Sequence, residues 1–302
     1  MKLSKLPYLR IVCNYSQECN LHCIWCHQEG VQVFNGQTKL LDVDEIIYNA
    51  TLFYKLGVRK FKLIGGEPTL REDLVDIIKG LRKLDCSMDI SMVTNGVLLA
   101  SLIEGYVEAG LSRVNISLFT LDEHYFRENI APVSLLNATI LGIDEAVKMG
   151  KCSKINHIYH DYCDFMDIIE FARKRNIRVN ILNRIPSITS DEFLPITEIM
   201  SVLDKLPISN IFIEEDEYSL PVKVYQLMNG AEIEVKHLEI GQTNLFSSCI
   251  NCAEKNNCKE GIFALRLTPQ GMLQPCLLRV NNTFLLSRGT SSNELIEYLR
   301  SL

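Results

Sequence analysis

The chain has 302 residues, 47% of them hydrophobic and 23% charged, with a formal net charge of −6. Such a chain suits a globular protein with a sizeable core, built as one large domain plus a small appendage or as two middling domains. The acidic balance excludes general nucleic-acid binding, which needs a basic face, and charges interrupt every apolar run before membrane-spanning length. The opening MKLSKLPYLRIVCNYSQEC lacks a long apolar core followed by a cleavage site, so a cytoplasmic protein is expected.

In chain order, the first feature is CNLHCIWCHQEG, which sets Cys19, Cys23 and Cys26 within eight residues. Asp42 and Glu45 then have capping-box spacing ahead of Ile46, Ile47, Ala50 and Phe53, predicting a helix that Gly57 stops. VRKFKL, from Val58 to Leu63, reads as a strand. Lys60 and Lys62 share one of its faces; if that face is a barrel interior, their charge implies a ligand or an ionic partner. In the following loop, LIGGEPTL, Gly65 and Gly66 permit close backbone approach and Glu67 adds an acceptor. Thr69 and Glu72 repeat the capping-box spacing ahead of a helix through Leu84.

Next come a strand near Ile90–Val93, the loop SMVTNG with Thr94 and Asn95, a helix over Leu98–Ala109 and the strand RVNISL. A helix over Leu136–Met149, the strand INHIYH, the helix DFMDIIEFARKR and the strand IRVNIL follow. Repeated strand–helix units imply a parallel sheet, open or curled into a barrel, with functional loops at the strand C-terminal ends. The acidic run Glu214–Glu217 reads as a solvated loop, and Pro269–Gly271 as the turn of a hairpin. His157, His160 and His237 have no clear ligand spacing and are taken as structural.

Seven of the eleven cysteines lie in two bunches, Cys19/Cys23/Cys26 and Cys249/Cys252/Cys258/Cys276. The other four, Cys13, Cys86, Cys152 and Cys163, read as small buried hydrophobes. Without a secretory signal, bunched cysteines indicate metal or cofactor ligands rather than a disulfide framework. At the first bunch, zinc completed by His22 or His27 and a [4Fe–4S] cluster with one open iron both fit; no cysteine stands apart as a nucleophile. The second bunch also suits either zinc or a cluster.

Cys19-x3-Cys23-x2-Cys26, then Gly65-Gly66-Glu67-Pro68, then Thr94-Asn95-Gly96, resemble the radical S-adenosylmethionine (SAM) superfamily. KFKLIGGEPTLREDL, AGLSRVNISL, GIDEAVKMG and LRLTPQGMLQPCL resemble the GTP 3′,8-cyclase family within it, of which this chain would be a paralogue. The resemblance implies a partial (β/α)6 barrel over residues 1–240 and a small C-terminal iron–sulfur extension of the twitch type over 241–302. It further implies a [4Fe–4S] cluster on Cys19, Cys23 and Cys26, and SAM against Gly65, Gly66, Glu67, Thr94, Asn95 and Ser117. A second, auxiliary [4Fe–4S] cluster would sit on Cys249, Cys252, Cys258 and Cys276, with Trp25 packing over the first.

By the same resemblance Lys60, Lys62, Lys154 and Arg266 are substrate contacts. The pattern departs from the cyclases in its C-terminal cysteines, four where they use three. Ala264, Lys62 and Asn180 stand where arginine or another motif is usual, and Arg10 is displaced by two residues. Lysine does not reproduce the bidentate fork of arginine, so a triphosphate substrate is not expected. The expected enzyme abstracts hydrogen from a small molecule, a nucleoside or nucleotide, with flavodoxin or ferredoxin as electron donor. The alternatives are a maturase acting on a precursor peptide and a non-catalytic zinc protein.

Overall fold

The computed structural model describes residues 8–28, 39–182, 184, 196–215, 221–236, 252, 264–276 and 282–302. An unpredicted strand, β1 (Tyr8–Val12), precedes the five that carry the predicted alternation: β2 (Lys60–Ile64), β3 (Asp89–Thr94), β4 (Arg113–Ser117), β5 (Cys152–Ile158) and β6 (Arg178–Leu182). They lie side by side in that order, all parallel. Helices α1 (Val43–Lys55), α2 (Leu74–Leu84), α3 (Leu99–Glu108), α4 (Glu123–Asn129), α5 (Leu136–Lys148) and α6 (Tyr162–Lys174) fill the connections. The helix α7 (Ile196–Leu203) leads to an antiparallel meander, β7 (Ile208–Glu214), β8 (Val222–Leu227) and β9 (Glu232–Lys236). This meander joins the sheet through β9, parallel to β6. At the other margin β10 (Ala264–Leu267) runs parallel to β1 and turns back into β11 (Met272–Gln274) and β12 (Phe284–Leu285). The final helix is α8 (Ser292–Ser301). The curled sheet is the partial barrel expected from the sequence.

Strand periodicity explains the layering. Leu9, Ile11, Phe61, Leu63, Ile90 and Met92 point outward into one core shared with the helices. Their alternates on β1, β2 and β3 (Arg10, Lys60, Lys62, Asp89 and Ser91) face inward. Helix α5 can approach the start of α3 because Gly142 has no side chain. A Cβ there would stand 2.2 Å from the Gly96 carbonyl oxygen.

The capping box of Asp42 and Glu45 forms as predicted. That of Thr69 and Glu72 does not: α2 begins at Leu74, and buried Thr69 donates its hydroxyl to Glu67 at 2.7 Å. A fully buried carboxylate has claimed the hydroxyl that a cap would have used. Two further expectations are corrected. Cys86 and Cys163 are exposed, and only Cys13 among the scattered cysteines is fully buried. Glu214 ends β7 and pairs with Arg178 instead of lying in a solvated loop; Asp216, Glu217 and His237 fall outside the described residues.

Candidate functional site

β1 leads through a 3-10 turn (Ser16–Glu18) to Cys19, so the cysteine loop caps the C-terminal end of the barrel. The two glycines of LIGGEPTL seat the β2–α2 loop against this segment. A Cβ on Gly66 would lie 2.2 Å from the Tyr15 carbonyl oxygen, and one on Gly65 2.3 Å from Asn14 Oδ1. At Gly66 any side chain would force backbone to move, while at Gly65 it would displace the Asn14 side chain and strain a φ of 156°. Gly66 N–H also donates to the Asn14 carbonyl at 3.3 Å.

Cys19, Cys23 and Cys26 are not joined in disulfides. Burial pushes Cys19 up to about 11 and raises Cys23 further, and the neighbouring thiols add to both shifts. Metal ligation reverses this, because coordinated sulfur is held as thiolate. The Leu21 N–H and Asn95 Nδ2 approach Cys19 Sγ at 3.4 and 3.9 Å, the kind of outer contact that tunes a cluster sulfur. Among the described residues these three thiols, with His22, form no group close enough to share one ion; only His157, His160 and Asp164 do. Thiolates about one zinc ion crowd it at about 2.3 Å, whereas a four-iron cube spreads them over separate irons. The donor set therefore fits the cube. Trp25 is buried between Phe119, edge-on at 5.2 Å, and Tyr125, stacked at 6.3 Å.

Glu67, Thr94 and Asn95 come together behind the loop. Glu67 is 1% exposed, and its Oε1 accepts from Thr69 N (3.1 Å), Thr69 Oγ1 (2.7 Å) and Thr94 Oγ1 (2.6 Å). Its Oε2 accepts from Asn95 N at 2.8 Å. Burial raises the Glu67 pKa while these donors oppose the shift. The carboxylate thus clamps the ends of β2 and β3 together. Asn95 extends the clamp to the cysteine loop, donating to Asn20 Oδ1 at 2.7 Å. Ser117, at the end of β4, pairs in register with Asn156 on β5 and is half-buried.

The inner face changes character along the barrel. Near the C-terminal strand ends, Val12, Ile64 and Val93 form a small apolar cluster separate from the main core. Deeper, Arg266, Arg10 and Lys62 sit side by side in register across β10, β1 and β2. Tyr8 lies beneath them, with Lys62 Nζ 4.8 Å from its ring centroid and Arg10 donating to its hydroxyl at 3.1 Å. Burial alone would raise the Tyr8 pKa, but Arg10, Lys62 and Lys236 override it and bring it to about 7. Burial pushes Lys62 down to about 8.

Elsewhere on the inner face the cations are compensated. Lys60 faces Asp89 at 3.8 Å, and Arg113 binds the same carboxylate at 2.7 Å. Lys154 pairs with Glu234, 2% exposed, which also meets Arg178 at 3.3 Å; Arg178 reaches Glu232 at 2.9 Å. These groups line a cavity of about 730 Å³. Glu234, Arg178 and Tyr8 were not anticipated from sequence. Their signal was there in EIEVK and RVNIL, where charged residues alternate with apolar ones as they do on β2.

The predicted hairpin forms, with β10 and β11 joined around Pro269–Gly271. Cys252 and Cys276 are half-buried and not joined in disulfides, and Gln274 Nε2 donates to the Cys276 carbonyl at 2.9 Å. Cys249 and Cys258 lie outside the described residues. No helix among the described residues is long and apolar enough to cross a membrane.

Known proteins share both the sequence pattern and the fold. The family model described as the Radical SAM superfamily matches residues 13–200. A probable GTP 3′,8-cyclase of Pyrococcus abyssi is 31% identical over 97% of this chain and 94% of its own length. The GTP 3′,8-cyclase of Clostridium perfringens strain SM101 is 30% identical over 98% of this chain and 89% of its own. Among solved structures, anSMEcpe with bound AdoMet superposes with a TM-score of 0.67 at 14% identity, over 97% of this chain and 81% of that one. Streptococcus suis SuiB bound to S-adenosylmethionine gives 0.63 at 16% identity over 92% of this chain; the match spans 62% of SuiB. At these identities the structural likeness concerns the fold.

Proposed function

Since the chain belongs to the radical SAM superfamily, among relatives of the GTP 3′,8-cyclases, we propose that it abstracts hydrogen from a nucleoside or nucleotide less phosphorylated than GTP. Cys19, Cys23 and Cys26 would hold a [4Fe–4S] cluster, which when bound would supply the electron for reductive cleavage of SAM. The protein orients and encloses the reactants. Gly65 and Gly66 offer bare backbone to the methionyl group, and Ser117 faces the barrel interior near the apolar cluster of Val12, Ile64 and Val93. That cluster keeps water from a highly reactive species. Glu67 positions the strand ends through Thr94 and Asn95.

The observation that carries the substrate assignment is buried Glu234 paired with both Lys154 and Arg178. A triphosphate needs several cations that are not already neutralised, and removing such a pairing costs several kcal/mol. The row Arg266, Arg10 and Lys62 across β10, β1 and β2 suits one anionic group, while Lys60 and Lys154 with their carboxylates suit a polar neutral moiety. Residues 241–302 form the extension, where Cys249, Cys252, Cys258 and Cys276 close an auxiliary [4Fe–4S] cluster. Flavodoxin or ferredoxin reduces the enzyme in the cytoplasm. The full set of four C-terminal cysteines also favours a second reading, a maturase whose substrate is a precursor peptide.

The test is anaerobic turnover with SAM and dithionite, using C–H-deuterated guanosine, GMP and GTP and the corresponding adenine compounds. Deuterium should enter 5′-deoxyadenosine fastest with a nucleoside or monophosphate. Efficient cyclisation of GTP would overturn the assignment. Transfer only from a peptide would move the enzyme to the second reading.

A further inference from the structure

A group of metal-ligating side chains lies in the β5–α6 corner, separate from the two cysteine bunches. His157, near the end of β5, is fully buried and stacks on Phe165 with centroids 5.7 Å apart. His160 and Asp164 follow on the connection and first turn of α6, their side chains 10% and 11% exposed. One ligand atom from each of the three lies within 4.8 Å of the other two.

The hydrogen bonds show what this group lacks. His157 Nδ1 lies 3.2 Å from the Leu118 carbonyl and His160 Nδ1 lies 3.3 Å from the Ile158 carbonyl. Carbonyl oxygens only accept, so each Nδ1 carries the proton and each neutral ring presents a bare lone pair on Nε2. His157 Nε2 is buried without a partner. Asp164 Oδ1 is used by Thr120 Oγ1 (2.8 Å) and Leu121 N (3.0 Å), which leaves Oδ2 buried and facing only His160 Nε2, at 3.2 Å, an ion pair when that ring is protonated. With both rings neutral, three acceptors converge with no donor between them, a costly arrangement in a buried site.

A divalent ion resolves it. Ring N–H groups anchored on backbone carbonyls, with the other nitrogens directed at a carboxylate, are the outer-shell pattern of histidine–metal sites. Two histidines and one carboxylate on a partly exposed corner leave positions for water and suit borderline first-row ions over Mg²⁺ or Ca²⁺.

We propose that His157 Nε2, His160 Nε2 and Asp164 Oδ2 bind one divalent first-row transition-metal ion, drawing together by a small adjustment to reach bonding distance. The ion would fix a corner that touches the cysteine loop. His160 stacks on Tyr125 at 4.0 Å and 12°, and Tyr125 in turn stacks on Trp25, beside Cys26.

The test uses holoenzyme with its iron–sulfur clusters reconstituted and oxidised, a state that is silent in electron paramagnetic resonance. It is titrated anaerobically with Co²⁺ or Mn²⁺, with Mg²⁺ as competitor. The expected result is one equivalent of ion with nitrogen couplings from two imidazoles in pulsed spectra, displaced by Zn²⁺ but not by Mg²⁺. His160→Gln and Asp164→Asn alter partly exposed side chains, so folding is retained, and each should weaken binding at least tenfold. His124→Gln, on the exposed face of α4, should not. Failure to bind at 100 µM added ion, binding without imidazole couplings, or equal affinity in both variants would overturn the proposal. Loss of SAM cleavage would not bear on it, which separates its failure from that of the proposed reaction.

Discussion

Replacing Glu67 by glutamine keeps the shape of the side chain and removes one acceptor. If the amide oxygen takes the Oε1 position, the contacts to Thr69 N, Thr69 Oγ1 and Thr94 Oγ1 survive, and the NH2 group then faces the Asn95 N–H, which sits 2.8 Å from Oε2. Two donors oppose each other at a site only 1% exposed. Losing a charge-assisted bond costs about 1.5–3 kcal/mol and stranding a buried N–H about 1–3 kcal/mol, so the substitution should cost roughly 3–5 kcal/mol. The flipped amide loses the contacts on Oε1 and is worse. With a urea slope of about 3 kcal/mol/M, the unfolding midpoint should fall by roughly 1–2 M at unchanged slope. Exposed Glu72→Gln is the control and should not move it. A Glu67→Gln midpoint within about 0.2 M of wild type would refute the clamp. Weakened SAM binding on top of that unchanged stability would make Glu67 a direct cofactor ligand.

Gly66→Ala should lower iron content in the purified protein by at least half, because its methyl group cannot coexist with the Tyr15 carbonyl 2.2 Å away; iron analysis checks this. Tyr8 should titrate near pH 7, visible as one tyrosinate near 295 nm that Tyr8→Phe abolishes. The folded pKa lies below the unfolded value of 10.0, so folded protein binds fewer protons between the two. Tyr8 should therefore add stability as pH rises above 7, by up to about 1.4 kcal/mol per pH unit, an increment missing from Tyr8→Phe. Glu234→Gln removes the carboxylate facing Lys154, while Arg178 keeps Glu214 and Glu232, so GTP binding should tighten at least tenfold by equilibrium dialysis; unchanged affinity would mean that this wall does not meet phosphate.

Local chemistry with a fixed period was legible before the fold was known. β2 to β6 and their helices followed from alternation and stop signals. The cysteine loop and the glycine pair announced themselves by spacing. Contacts that depend on closing the sheet were not legible. Lys154 and Glu234 are 80 residues apart and meet only because β9 enters beside β6. Thr69 and Glu72 have the spacing of a cap, and no local rule reveals that Glu67 withdraws the threonine. His157, His160 and Asp164 failed the usual ligand-spacing tests because their geometry arises where a strand end meets the first turn of a helix. β1 went unnoticed because it is only five residues long and precedes α1 by about thirty residues, so no neighbouring strand–helix alternation marked it.

The central claim is that Cys19, Cys23 and Cys26 hold a four-iron cluster with one iron open to SAM. Mössbauer spectroscopy with iron and zinc counts tests it most directly, on protein purified without oxygen. Wild type is compared with the Cys19/Cys23/Cys26→Ala variant, each with and without SAM. The account predicts two clusters in wild type, one in the variant, and a change at a single iron site when SAM is added to wild type only. Equal iron in both proteins, or no iron in either after anaerobic reconstitution, would contradict it.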